Sequence, residues 1–190
     1  MKTYVILMRG INVGGKNKIA MPALKKCLEE EGFTDVRTLM QSGNAVLRSD
    51  LGAKATADKI ESALPKAFKL DRSIIKVVAL DANAFKGVVA GAPEEFGKDN
   101  SAHRYYVLFP MGETAAKAMK EIEVRPGIDT AWQGKAAIYY RLPSLSNRDR
   151  SKSWLNRVTQ KPLYQVLTMR NWATTTKLMA MLEDANNTKE

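Results

Sequence analysis

The chain has 190 residues, 45% hydrophobic and 26% charged, enough for one ordinary globular domain or two small ones closely joined. Its apolar runs, such as Tyr4 to Met8 and Val77 to Leu80, fall far short of the roughly 18 residues of a membrane span, and Lys2 with the short run behind it is no signal-peptide core, so a cytoplasmic protein with no membrane partner is expected. One cysteine, Cys27, and one histidine, His103, exclude an internal disulfide and a structural zinc site of four Cys or His ligands.

Thr3 to Met8 is β-branched and apolar and stops at Arg9-Gly10, which predicts a buried first strand followed by a Gly-rich loop. Pro22 suits the first turn of a helix, Leu24, Cys27, Leu28 and Phe33 recur at roughly helical spacing, and Gly32 stands where a helix stops, so 21–31 is predicted helical. Val36 to Met40 and Asn44 to Arg48 flank Gln41-Ser42-Gly43, a polar connection of hairpin length, and should pair antiparallel. Ala53 to Leu70 places Ile60, Leu64 and Phe68 on one helical face, with Pro65 expected to kink or split it, and Ile74 to Leu80 is the next strand. This β, α, β, β, α, β order is that of a ferredoxin-like sandwich, an antiparallel sheet with helices on one face.

Asp81 is placed to cap a short helix reaching Val89, and Ala90 to Ala102, with two glycines, a proline and several charges, reads as a linker or surface loop. His103 to Phe109 is strand-like, Thr114 to Lys120 helical, and Ala131 to Leu142 a hairpin turning near Gln133-Gly134. Two basic helices are expected at the end, Lys152 to Thr159 and Trp172 to Asp184, with Asn171 capping the second and Pro162 breaking the link between them. The expected fold class is α+β, with a ferredoxin-like subdomain over 1–82 and a second, smaller α+β subdomain over 83–190. No internal repeat is visible beyond the mixed character of both halves.

Thirty basic against twenty acidic residues give a net charge of +10, and it is concentrated in two stretches. Positions 9–18 contribute +3 through Arg9, Lys16 and Lys18, while 141–180 holds eight basic residues against Asp149 alone. A solvated basic face that keeps the chain soluble and a site for an anionic partner both fit this pattern. The loop from Arg9 to Asn17 matches the phosphate-loop spacing of two glycines and a lysine, except that Asn17 stands where Ser or Thr would ligate magnesium. Several residues also separate it from Pro22, and an antiparallel sheet argues against a nucleotide hydrolase of that class. What remains is a tight turn with positive φ at its glycines, or a flexible basic cradle for one phosphate.

The first subdomain lacks a base-stacking platform, since its third strand has no Phe or Tyr and its first offers only Tyr4. In the C-terminal part Tyr139, Tyr140, Trp154, Tyr164 and Trp172 interleave with Arg141, Arg148, Arg150, Arg157 and Arg170, a mixture that single-strand or nucleotide sites use, although Trp154 and Trp172 equally suit anchoring helix to sheet. Cys27 shares an apolar helix face with Leu24 and Leu28, His103 reads as structural or exposed, and Glu29-Glu30-Glu31 and Glu94-Glu95 read as solvated charge. No catalytic set and no cofactor can be named from these residues.

Arg9-Gly10-Ile11-Asn12-Val13-Gly14-Gly15, Gln41-Ser42-Gly43-Asn44 and Thr168-Met169-Arg170-Asn171-Trp172, with Lys177-Leu178, together form a pattern that resembles the bacterial domain-of-unknown-function family 1697. The resemblance spans nearly the whole chain and implies a two-part α+β protein whose first part is ferredoxin-like; it brings no activity with it. Ala173, Thr175 and Pro65 depart from the family pattern at positions that concern packing more than chemistry. Because the three motifs fall at a strand end, a hairpin turn and a helix start, a composite anion site is expected. It would use the amides of Gly14 and Gly15, the side chains of Arg9, Asn12 and Lys16, the amide groups of Gln41 and Asn44, and Arg170 with Asn171 at the start of the last helix. The expected function is a binding module for nucleic acid, a nucleotide or another phosphorylated small molecule, held by the Gly-rich basic loop and the basic C-terminal helices. The alternatives are a small enzyme acting on a phosphorylated or carboxylated metabolite, and a structural or protein-interaction role in which the motifs only specify the fold. No metal site is expected.

Overall fold

The computed structural model describes residues 1–71, 75–144, 148–158 and 161–187. The chain divides into two compact units, Met1–Phe85 with Lys177–Glu190, and Lys86–Thr176.

The first unit runs β1 (Lys2–Arg9), α1 (Met21–Glu30), β2 (Thr34–Leu39), β3 (Asn44–Ser49), α2 (Ala53–Ala67) and β4 (Lys76–Asp81). Its strands pair antiparallel in the order β2-β3-β1-β4, the ferredoxin-like arrangement. Strand alternation turns Tyr4, Ile6 and Met8 to the same side as Ala45, Leu47 and Val77, where Leu24 and Leu28 of α1 and Ala57, Ile60 and Leu64 of α2 complete a core. Val5 and Leu7, pointing the other way, are equally buried, which is why β1 reads as a continuous apolar run instead of an alternating one. The helix α2 is not split by Pro65. The proline falls in the last turn, so it forfeits the one bond to the Glu61 carbonyl but leaves only two helical residues after it to be displaced, and the Phe68 N–H closes the helix on the Leu64 carbonyl at 3.0 Å. Ile74, the expected start of the fourth strand, lies outside the described residues.

Helix α3 (Ala82–Ala90) follows, and the Ala84 N–H donates to the Asp81 carboxylate at 2.8 Å, the cap expected there. The second unit continues with β5 (His103–Pro110), α4 (Ala115–Met119), β6 (Thr130–Gln133), β7 (Ile138–Pro143), α5 (Trp154–Arg157) and β8 (Leu167–Asn171), before α6 (Trp172–Asn187). Its sheet order is β6-β7-β5-β8, again all antiparallel. Strand for strand this repeats the path of the first unit, so the molecule contains a repeat of topology that the residues do not display. Leu108, Ile138, Tyr140 and Leu142 face Ala115 and Ala118 of α4 and Trp154 and Val158 of α5 to form the second core.

Three expectations change here. The helix expected over Lys152 to Thr159 shrinks to Trp154–Arg157, with Lys152 in a preceding 3-10 turn, and Thr159 lies outside the described residues. The segment before Asn171 is a strand, β8, with Leu167 and Met169 on the second core and Thr168 and Arg170 buried on its other face, an alternation too short to announce a strand. The stretch expected as a linker or surface loop carries Phe96, only 6% exposed, onto the second sheet. The Thr174 N–H donates to the Asn171 side chain at 2.7 Å, so Asn171 caps α6 as expected. Among the described residues no helix is long and apolar enough to cross a membrane.

Candidate functional site

The loop between β1 and α1 bends through five left-handed residues, Gly10, Asn12, Gly14, Gly15 and Asn17. Asparagine tolerates that conformation when its short amide finds local partners. Asn12 donates through Nδ2 to the carbonyls of Ile19 at 2.9 Å and Gln41 at 2.7 Å, and its Oδ1 accepts the Ile19 N–H at 2.8 Å. The Asn17 side chain donates to the Gly10 carbonyl at 2.8 Å, while the Asn17 N–H donates to the Asp71 carboxylate at 2.6 Å. A bridge between Val13 and Lys16 closes the tip, leaving Val13, Gly14, Gly15 and Lys16 exposed.

The β2–β3 turn is built to meet this loop. Met40 and Gly43 are left-handed, the Gly43 carbonyl accepts the Met8 N–H at 2.7 Å, and the buried Asn44 amide donates to the Leu39 carbonyl and the Ser42 hydroxyl. A Cβ at Gly43 would lie 2.8 Å from Ile11 Cγ1. Gly43 thus needs both its φ and its missing side chain, and the two motifs are locked through Ile11 against Gly43 and Asn12 against Gln41.

Of the expected site residues, Arg9, Asn12, Gly14, Gly15, Lys16, Gln41 and Asn44 belong to the first unit, and Arg170 and Asn171 to the second. Asn12 and Asn44 spend their side chains on the loop and the turn, whereas Gly14, Gly15, Lys16 and Gln41 are exposed. Arg170 is 7% exposed on β8, donating to the Thr168 hydroxyl at 3.0 Å and the Met169 carbonyl at 2.9 Å, and burial pulls its pKa down to about 10. Nothing in the sequence points to Asp71, because its contact spans 54 positions and nothing around it marks a partner.

The second basic stretch serves several ends. Lys152 pairs with Asp149 at 2.6 Å and Lys161 with Glu123 at 2.5 Å, while Arg141 lies over the Trp132 ring at 5.5 Å. Arg148, Arg157 and Lys177 are exposed, and the side chain of Arg150 lies outside the described set. Trp154 is buried in the second core, as an anchoring role requires. Burial, followed by the charges of Glu31 and Glu30, pushes the Cys27 thiol pKa up, which suits a core residue and not a nucleophile. No cluster of three or more His, Cys, Asp or Glu suited to a metal ion occurs among the described residues.

A family model described as protein of unknown function, DUF1697, matches residues 1–139, a span that takes in both the Gly-rich loop and the hairpin turn. The chain belongs to this family. The DUF1697 chain is also similar to a solved structure, the conserved bacterial protein SP0830 from Streptococcus pneumoniae, with a TM-score of 0.75 and 24% sequence identity over 95% of this chain and 98% of that one. That likeness is one of fold. No curated protein matches the chain. The DUF1697 match ends before β8, so Arg170 and Asn171 stand outside it.

Proposed function

We propose that this DUF1697 chain is a binding module for a phosphate-bearing ligand, a nucleotide or a nucleic acid strand, held at the Gly-rich loop of the first unit. The carrying observation is the exposed left-handed tip of the loop, Gly14 and Gly15 with Lys16, next to the buried Asn17 N–H, which holds the Asp71 carboxylate at 2.6 Å and shows the same backbone turn binding an anionic oxygen. Gly14 and Gly15 are exposed, and the exposed Lys16 and Lys18 make no ion pair among the described residues. Backbone amides supply direction and the two lysines supply charge, a combination that needs neither a helix dipole nor magnesium. Fluorescence anisotropy with a labelled single strand and a labelled nucleotide, each titrated at several salt concentrations, tests this. Lys16→Ala and Lys18→Ala should each weaken binding, and on the strand each should lower the salt slope by about one. Binding that both variants leave unchanged overturns the reading. A purely structural role for the motifs is the second reading, favoured by Asn12 and Asn44 spending their amides on the loop and the turn; a chain that takes up neither probe, and that loses stability on Asn12→Ala, supports it over the first.

A further inference from the structure

The second sheet has an unusual face. Tyr105 pairs with Arg141, which pairs with Thr130, and Val107 pairs with Tyr139, which pairs with Trp132. Directly paired residues share a face, so Tyr105, Tyr139, Trp132 and Arg141 all lie opposite the side closed by α4 and α5. Aromatic residues on the two central strands of a sheet with this topology are what RNA-recognition folds use to stack unpaired bases. The corresponding face of the first sheet offers Val5, Leu7 and Val46 instead.

One ring on this face does not come from the sheet. Phe96, from the segment after α3, stands edge-on to Tyr105 at 5.0 Å, Trp172 at 5.2 Å, Tyr139 at 5.5 Å and Trp132 at 6.0 Å between ring centroids. It packs on Tyr105 and Tyr139, which are 4% and 2% exposed; Tyr139 is also held under α3, its hydroxyl donating to the Val88 carbonyl at 2.6 Å, while Trp132, Arg141 and Trp172 remain half-buried and reachable. Arg141 is held in place by the Thr130 hydroxyl at 3.0 Å and lies over Trp132, an arrangement that offers a cation and a flat ring together. We propose that this face is a second binding site, for the unpaired bases of a single nucleic acid strand, with Trp132 and Arg141 as its outer rim and Phe96 as the ring that a base replaces. Glu94 and Glu95, which precede Phe96, are exposed and pair with Lys98 at 4.0 and 3.1 Å, so the cation that the face itself offers a strand is Arg141. The site is independent of the Gly-rich loop, which belongs to the other unit, and each can fail without the other.

The test uses the full chain, a short labelled single strand, and an abasic strand of equal length that keeps the phosphates and lacks the bases. Trp132→Ala and Arg141→Gln should each weaken binding of the base-bearing strand about fivefold or more, and Phe96→Ala should tighten it about tenfold, the order of one base–aromatic stack. The abasic strand should respond to none of these changes. Lys16→Ala, which reports on the loop, should weaken both strands alike. Equal binding of the two strands by the unaltered chain, or base-bearing binding that ignores Trp132→Ala and Arg141→Gln, overturns the proposal. Circular dichroism establishes whether Phe96→Ala folds; if it does not, the two rim variants decide the matter, because neither removes a buried ring.

Discussion

Glycine is required at some positions of the loop for space and at others only for conformation, and the two requirements separate in energy. At Gly14 and Gly15 nothing lies within 4 Å of an added Cβ, so Gly14→Ala should cost only the left-handed backbone, about 1 kcal/mol. At Gly43 the same backbone cost is joined by a clash with Ile11 at 2.8 Å, and Gly43→Ala should cost about 3 kcal/mol. Urea unfolding of the two variants checks the difference; equal losses would show that the Ile11 side chain moves aside freely. The Gly-rich character of the loop was legible in the sequence, and so was Asn171 as a cap. The service of Asn12 to Gln41 was not, because a contact between residues 29 positions apart leaves no mark on either neighbourhood.

At the scale of elements, the first six followed from pattern. Their buried faces are apolar, their turns hold glycine, and their helices carry apolar residues at the right spacing. Strand β8 is harder to read because it has only five residues, Leu167–Asn171, and the face opposite Leu167 and Met169 is buried yet polar, with Thr168 and Arg170. The segment between α3 and β5 is hard to read for another reason, since a single aromatic among glycines and charges does not reveal that it is anchored. The end of that segment is held by Asp99, whose carboxylate accepts from the Ser101 hydroxyl at 2.7 Å and the Ala102 N–H at 3.0 Å. The Ser101 bond, then the Ala102 bond, holds the Asp99 carboxyl below its ordinary value of 3.8. A depressed carboxyl pKa stabilises the folded chain above the unfolded value and stops doing so as pH falls through the folded one. The advantage of the parent chain over Asp99→Asn should therefore be complete above pH 3.8 and shrink with further acidification, as read from urea midpoints across that range. A constant difference would remove Asp99 as the titrating group.

Over the whole molecule, one topology is used twice with different surfaces, a Gly-rich basic loop in the first unit and an aromatic face in the second. The first unit's topology is legible in the sequence and the repeat is not, because the two cores share a path and not a residue pattern. The units also differ in their reporters. All three tryptophans, Trp132, Trp154 and Trp172, lie in the second unit, and the only cysteine, Cys27, lies in the first. Leu178, Leu182 and Ala185 of α6 are buried, and the Thr3 hydroxyl donates to the Asn186 side chain at 3.1 Å. Ending the chain after Thr176 should therefore raise the reactivity of the Cys27 thiol toward a disulfide reagent while leaving the tryptophan emission largely unchanged. A truncated chain whose emission shifts as much as its thiol reactivity rises would mean that the last helix supports both units equally.

The first unit is built from two separated stretches of chain, with the whole of the second unit between them. A ribosome therefore releases every strand of the first sheet long before it makes Leu178 and Leu182. During synthesis the unit that begins first is completed last, and its sheet must wait, without that helix, for the entire second unit to be translated.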